Sequence, residues 1–132
     1  MPLTTYSANL IAKAIAHGSA YQGPATIYLA LVTTTPTASA AGTPVTYTGY
    51  ARAEVDISAW DDDDAGVLDN NAEIAFPDPT AGSDETATYV EAYDAASGGN
   101  RLWFEELVDP VVINGDTPSV AFPAGQLTVS VV

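Results

Sequence analysis

Histidine is the side chain best suited to moving protons near neutral pH, and this chain has one, His17. It is followed at once by Gly18 and ends an apolar stripe of helical period, where a cation complements the negative end of a helix dipole. No nucleophile motif accompanies it, so Ser/His/Asp chemistry is not expected. Glu105 and Glu106 are the pair that a glycan-cleaving enzyme would use. Neighbouring strand residues point to opposite faces, so these two carboxylates are not expected to flank one glycosidic bond. The expectation is a non-enzyme with no catalytic residue and no cofactor.

The sharpest charge feature is the run Asp61, Asp62, Asp63, Asp64, whose carboxylates repel one another unless they are solvated or neutralised. They are the calcium candidates, with Asp69, Asn70 and Asn71 near enough in sequence to add oxygens. The helix-loop-helix calcium pattern is not met, because Ala65 takes a ligand position, and a solvated acidic loop is the simpler expectation. Gly98 and Gly99 follow no phosphate-cradling pattern and read as turn residues. Among the aromatic residues, Tyr47 and Tyr50 sit in a long loop and Trp60 borders the acidic run. These three are the candidate partner contacts, since exposed aromatic side chains favour interfaces.

The elements that would position these residues follow from the bulk numbers and the spacing. The 132 residues suit one domain over 1–132, and a hydrophobic fraction of 47% against 15% charged is enough for a core. With 17 acidic residues against Lys13, Arg52 and Arg101, the formal net charge of -14 repels nucleic-acid backbones and anionic membrane surfaces. No apolar run approaches a membrane-spanning length, no secretory signal opens the chain, and the absence of cysteine excludes disulfides. Residues 4–17 place Tyr6, Leu10, Ile11, Ala14 and Ile15 on one stripe, with Thr4 or Thr5 able to cap the start and Gly18 the end. That spacing predicts one amphipathic helix laid on the rest of the domain.

From residue 26 the period is two. Ile27, Leu29 and Leu31 alternate with Tyr28, Ala30 and Val32, and Ala53, Val55 and Ile57 alternate with Arg52, Glu54 and Asp56. Further short strands are expected at 71–76, 86–93, 101–108, 111–113, 119–122 and 127–132. Residues 35–49 read as a surface arm and 61–66 as an acidic loop. The expected fold is mainly β, an antiparallel sandwich, jelly roll or barrel of about seven or eight short strands with the N-terminal helix.

Four blocks in this order carry a resemblance. They are Tyr28-Leu29-Ala30-Leu31-Val32-Thr33-Thr34-Thr35-Pro36; Gly49-Tyr50-Ala51-Arg52; Tyr93-Asp94-Ala95-Ala96-Ser97-Gly98-Gly99-Asn100; and Phe122-Pro123-Ala124-Gly125-Gln126-Leu127-Thr128-Val129. The chain resembles a family of small bacteriophage virion structural proteins, labelled tail fibre or head decoration. The resemblance implies residence in the virion after assembly in the host cytoplasm, with other virion proteins as partners. The first functional reading is a capsid decoration, or cement, protein, a homotrimer or other homo-oligomer bound to the major capsid protein outside the head. The alternative is a tail fibre or baseplate module that binds a host receptor, and a glycan-cleaving enzyme is the remote third.

Overall fold

In the computed structural model, residues 2–62 and 66–130 are described, those of the side chain of Asp62 excepted. The chain opens with helix α1 (Thr5–His17) and continues through nine strands among the described residues. These are β1 (Thr26–Val32), β2 (Ala53–Asp56), β3 (Trp60–Asp62), β4 (Val67–Asn70), β5 (Ile74–Phe76), β6 (Glu85–Tyr93), β7 (Arg101–Ile113), β8 (Val120–Phe122) and β9 (Thr128–Ser130). They form a four-stranded sheet β2-β1-β6-β7, a three-stranded sheet β3-β4-β9 and a two-stranded sheet β5-β8, with every pairing antiparallel. The arrangement is the expected mainly-β, sandwich-like one with a single N-terminal helix.

Alternation decides which side of the large sheet meets the core. Leu29 and Leu31 of β1, Ala53 and Val55 of β2, Val90 and Ala92 of β6 and Trp103 of β7 are buried on one side. Ile74, Phe76, Val120 and Phe122 of the two-stranded sheet join the same core, where the Phe76 and Phe122 rings meet edge to face at 6.1 Å. Residues 61–66 were expected to be an acidic loop, but Asp61 and Asp62 belong to β3, which forms a hairpin with β4. Its register pairs Trp60 with Asn70 and Asp61 with Asp69, which sets the aromatic and the acidic residues on opposite faces.

The segment expected to be a surface arm is instead a strap. Thr33 N donates to Thr43 O at 2.8 Å and Val45 N to Leu31 O at 3.1 Å, so residues 43–45 pair with the edge of β1 beyond the reach of β2. Val45 and Tyr47 point into the core while Thr46 and Thr48 point out, the same alternation as a strand. At Gly42 the strap lies so close that a Cβ would stand 2.6 Å from Thr34 O and 2.8 Å from Val32 Cγ2.

The helix has the expected caps: Thr4 Oγ1 accepts from Ser7 N, and Gly18 takes the left-handed conformation at φ 64°. Its burial departs from expectation. Ser7 is the buried helical residue, Leu10, Ile11 and Ala14 are half-buried, and Tyr6 and Ile15 are exposed, Ile15 at 81%. The cause is one-ended anchoring. Thr4 N donates to Leu102 O and Phe104 N to Pro2 O, each at 3.2 Å, and the Thr4 hydroxyl reaches Arg101 O at 2.6 Å. These bonds seat the first turn on β7, and toward the other end Ile15 and His17 are exposed. Ile57 also departs: it was expected in a strand facing the core, but it lies in a 3-10 turn (Ile57–Ala59) and is exposed. Asp56 caps that turn by accepting from Ser58 N, a bond that holds its carboxyl below the usual range.

Gly42→Ala is expected to destabilise the protein by about 1–3 kcal/mol, because the added methyl overlaps the carbonyl of Thr34 and drives the strap off β1. Urea unfolding of the two proteins measures it; equal midpoints would show that the strap is not packed as described.

Candidate interaction site

Two concave regions flank the large sheet, and their chemistry is opposite. On the side away from the core, β6 carries Glu91, a carboxylate only 1% exposed. An isolated charge there would be prohibitive, so its partners matter. Glu91 Oε2 accepts from Arg101 Nη1 at 2.9 Å and from Gly42 N at 3.2 Å, and Oε1 accepts from the Tyr93 hydroxyl at 3.3 Å. Arg101 Nη2 also donates to Thr37 O, which ties the strap to the pair. Beside it the Arg52 guanidinium lies 3.5 Å over the Tyr93 ring and donates to Ala95 O at 2.7 Å and Gly98 O at 2.8 Å. Burial, then the nearby Glu91 carboxylate, raises the Tyr93 pKa. Burial also raises that of Tyr50, whose hydroxyl accepts from Leu31 N at 3.1 Å and so opposes part of the rise.

A cleft of about 240 Å³ lies among Arg52, Glu91, Tyr50 and Tyr93. The polar groups just named already have partners within the chain. The network ties strap and hairpin to the sheet, with Arg52 engaged through Nη1 and the Tyr50 hydroxyl engaged as an acceptor.

The second region is a groove of about 540 Å³ beneath α1. Ile11 of the helix, Tyr21 after it, Ile27 of β1, Ile57 of the 3-10 turn, and the Trp60 and Trp103 rings are among its walls. No charged side chain lines it among the described residues. The two tryptophans meet edge to face at 6.2 Å, and Trp60 Nε1 is buried without an acceptor among the described residues. Tyr21 and Ile57 are exposed at its mouth. Opening such a surface to water is unfavourable, and covering it is the natural source of binding free energy.

The expected contact residues separate. Trp60 lines the groove and Tyr50 lines the polar cleft. Tyr47 is corrected: only 2% exposed, it donates its hydroxyl to Pro77 O at 2.7 Å, and burial pushes its pKa up to about 12. The strap turns it inward, so it has no free surface to offer a partner. Of the acidic run, Asp61 is exposed and accepts from Asn71 Nδ2, while the side chain of Asp62 and the whole of Asp63 and Asp64 lie outside the described residues. Asn70 is buried, with its amide donating to Ala72 O and Pro123 O and its Oδ1 accepting from Leu127 N, so it is committed to the fold. Asp69 accepts from the Thr128 hydroxyl. Among the described residues no group of three or more His, Asp or Glu side chains is placed to hold a metal ion.

His17 is exposed at the helix C-terminus. Glu105 pairs across the sheet with Val90 and Glu106 with Tyr89, which puts the two carboxylates on opposite faces. A recess of about 30 Å³ touches both, the size of one water and far too small for a sugar linkage. Glu105 is half-buried, its Oε2 has no partner among the described residues, and burial raises its pKa.

Sequence reasoning passed over Glu91 and most of the groove. The available signal for Glu91 was a carboxylate amid Tyr89, Val90, Ala92 and Tyr93, with Arg101 just across the predicted hairpin turn. The groove had no such signal, because Ile27 and Trp103 read as ordinary core.

The sequence matches the family described as Podophage GP4 fiber I protein gp80 over residues 2–130. The chain belongs to this family. The fibre protein is therefore a structural protein of the phage virion and associates there with other virion proteins. The resemblance drawn from the four sequence blocks agrees with it. A comparison with curated proteins finds no match. Among its described residues, no helix of the fibre protein is long and apolar enough to cross a membrane.

Arg101→Met strands the buried Glu91 carboxylate and is expected to cost about 3–5 kcal/mol, while the double variant Glu91→Leu/Arg101→Met recovers most of that loss. Chemical unfolding of the single and double variants checks it; an additive double variant would contradict the pairing. Glu105 has a folded pKa above its unfolded value, so the folded state binds the proton more tightly and stability declines as pH rises from the usual carboxyl range through the raised value. Glu105→Gln is thus expected to melt above the parent at pH 7 and to lose that advantage in acid. Melting curves at several pH values decide it, with a constant difference counting against the burial account.

Proposed function

We propose that this protein is a compact module of the podophage fibre that works by being bound into the particle, without catalysis. The observation that carries the reading is the apolar groove beneath α1, which has the chemistry of an unfilled protein contact. Family membership supports the fibre as its place. Capsid decoration, with a homotrimer over the head, draws its support from compactness and acidity. Those features suit a fibre module equally, and the family match favours the fibre. A host-receptor site built from Trp60, Tyr50 and the acidic loop loses its support, because Trp60 and Tyr50 line different cavities. Glycan cleavage fares no better, since Glu105 and Glu106 face away from each other.

Antibody labelling of intact particles, followed by electron microscopy, tests the placement. Label on the fibres is expected. Label spread over the head surface would replace the fibre reading with the decoration one.

A further inference from the structure

We propose that the polar cleft between the strap and the turn after β6 is a binding site for a hydroxylated monocarboxylate of the size of one sugar acid, with Arg52 holding the carboxylate. The site stands independently of where in the particle the protein sits. Its first support is the state of Arg52. Carboxylates far outnumber cations in this chain, 17 against three, yet among the described residues Arg52 makes no ion pair. Asp94, beside the turn, is engaged with Asn100 through both carboxylate oxygens, at 2.7 and 2.9 Å, and the exposed Glu54 is two positions along the chain without pairing to it. Nη1 instead donates to Ala95 O and Gly98 O, and the guanidinium carbon lies 3.5 Å from the centre of the Tyr93 ring. These contacts fix the head of the side chain and leave Nε and Nη2 without acceptors among the described residues. The two N–H groups along that edge of a guanidinium match the two oxygens of a carboxylate, and a head already held in place loses little freedom on binding one.

The second support is local charge. Arg101 neutralises Glu91 at 2.9 Å, so the charged side chains lining the cleft leave one uncompensated positive charge, that of Arg52. A single charge is balanced by a monoanion, whereas a doubly charged phosphate ester would bring excess negative charge beside Glu91. The third support is what else the cleft offers. Its volume of about 240 Å³ is more than a carboxylate group alone occupies and lies below the roughly 300–1,000 Å³ of pockets for larger ligands, which leaves room for one ring. The Tyr50 hydroxyl accepts from Leu31 N while its own proton has no acceptor among the described residues, and the Ser97 hydroxyl at the rim has no partner there either. Val32, Pro44 and Ala96 supply apolar patches between them. Free hydroxyls beside small apolar patches suit a ring that carries hydroxyl groups and C–H faces. The side-chain carboxylate of another protein would occupy the Arg52 end and leave the rest of the cleft unused.

Nuclear magnetic resonance of the labelled protein tests the site directly, because the chain has two arginines and Arg101 serves as the internal control for Arg52. Sodium glucuronate is titrated at constant ionic strength, with glucose as the neutral control and inorganic phosphate as the more highly charged one. The expected result is a saturable shift of the Arg52 Nε–H signal with a Kd on the order of 1 mM, while Arg101 stays in place. Glucose and phosphate are expected to bind at least tenfold more weakly. Arg52→Lys keeps the charge and loses the paired donors, and is expected to weaken binding tenfold or more. Ala96→Trp fills the cleft from its exposed rim without removing a bond of the network, and is expected to abolish the Arg52 shift with unchanged melting.

The proposal is overturned by an Arg52 signal that does not saturate, by equal binding of glucose, by tighter binding of phosphate, or by undiminished binding to Ala96→Trp. A short aspartate-rich peptide that saturates Arg52 more tightly than glucuronate would also overturn it, in favour of a protein carboxylate. Methyl glucuronide separates two sources of the same chemistry. Binding as tight as that of glucuronate supports a residue at the end of a glycan chain; its exclusion, with glucuronate still bound, supports the free acid.

Discussion

The buried pair Glu91 and Arg101 is the interaction on which the rest of the arrangement depends. Removing two charges from water is costly, and a buried pair is tolerated only when its remaining donors and acceptors are also satisfied. Here they are satisfied by groups from separate parts of the chain: Gly42 N and Thr37 O from the strap and the Tyr93 hydroxyl from β6. The pair thus holds the strap against the outer side of the large sheet. Ala38 O in turn accepts from Thr5 N at 2.9 Å, so the strap also touches the start of α1. One electrostatic requirement couples hairpin, strap and helix.

This use of arginine also shapes the surface. With Arg52 clamping the turn after β6 and Arg101 buried, two of the three cations of a chain of net charge -14 are engaged in internal contacts. The third, Lys13, is exposed on α1, and the acidic residues all lie from Glu54 onward, so the net negative charge that selects partners by sign comes from the later part of the chain. The polar cleft and the apolar groove then take different parts. In the first, the polar side chains are tied to partners within the chain and the outcome is rigidity. In the second, apolar surface is left uncovered and the outcome is a capacity to bind, consistent with a structural protein of a phage fibre.

Local pattern made several elements legible. The Thr4 cap and the Gly18 stop bound the helix to within a residue, because capping depends on side chains adjacent to the helix itself. The two-residue period of Ile27, Leu29 and Leu31, of Ala53 and Val55, and of the β6 residues identified strands by type. The β3-β4 hairpin was missed because its sequence is dominated by aspartate, which is disfavoured in strands, while cross-strand pairing of Trp60 with Asn70 overrides that preference. The strap was missed for a related reason. Thr, Pro and Gly signal a loop, but Val45 and Tyr47 alternate with threonines and find a sheet edge to lie on. Trp60 was recognised as a contact candidate and lines the groove; Tyr47 was chosen on the same grounds and is core.

Composition and periodicity by themselves determined the β class, the helix and its limits, the acidity and the lack of any cysteine chemistry, since each is written in residue types or in spacings of a few residues. Only the tertiary structure decided that the helix is anchored at one end, that the strap is folded down, that Glu91 has a partner and that a groove stays open. The deciding bonds join residues far apart in the chain, such as Thr4 with Arg101 and Gly42 with Glu91, separated by 97 and 49 positions. Local periodicity carries no information about which sheet edge or which face such distant residues will share. That is set by the joint closure of the core, and the uncovered groove is what that closure leaves behind.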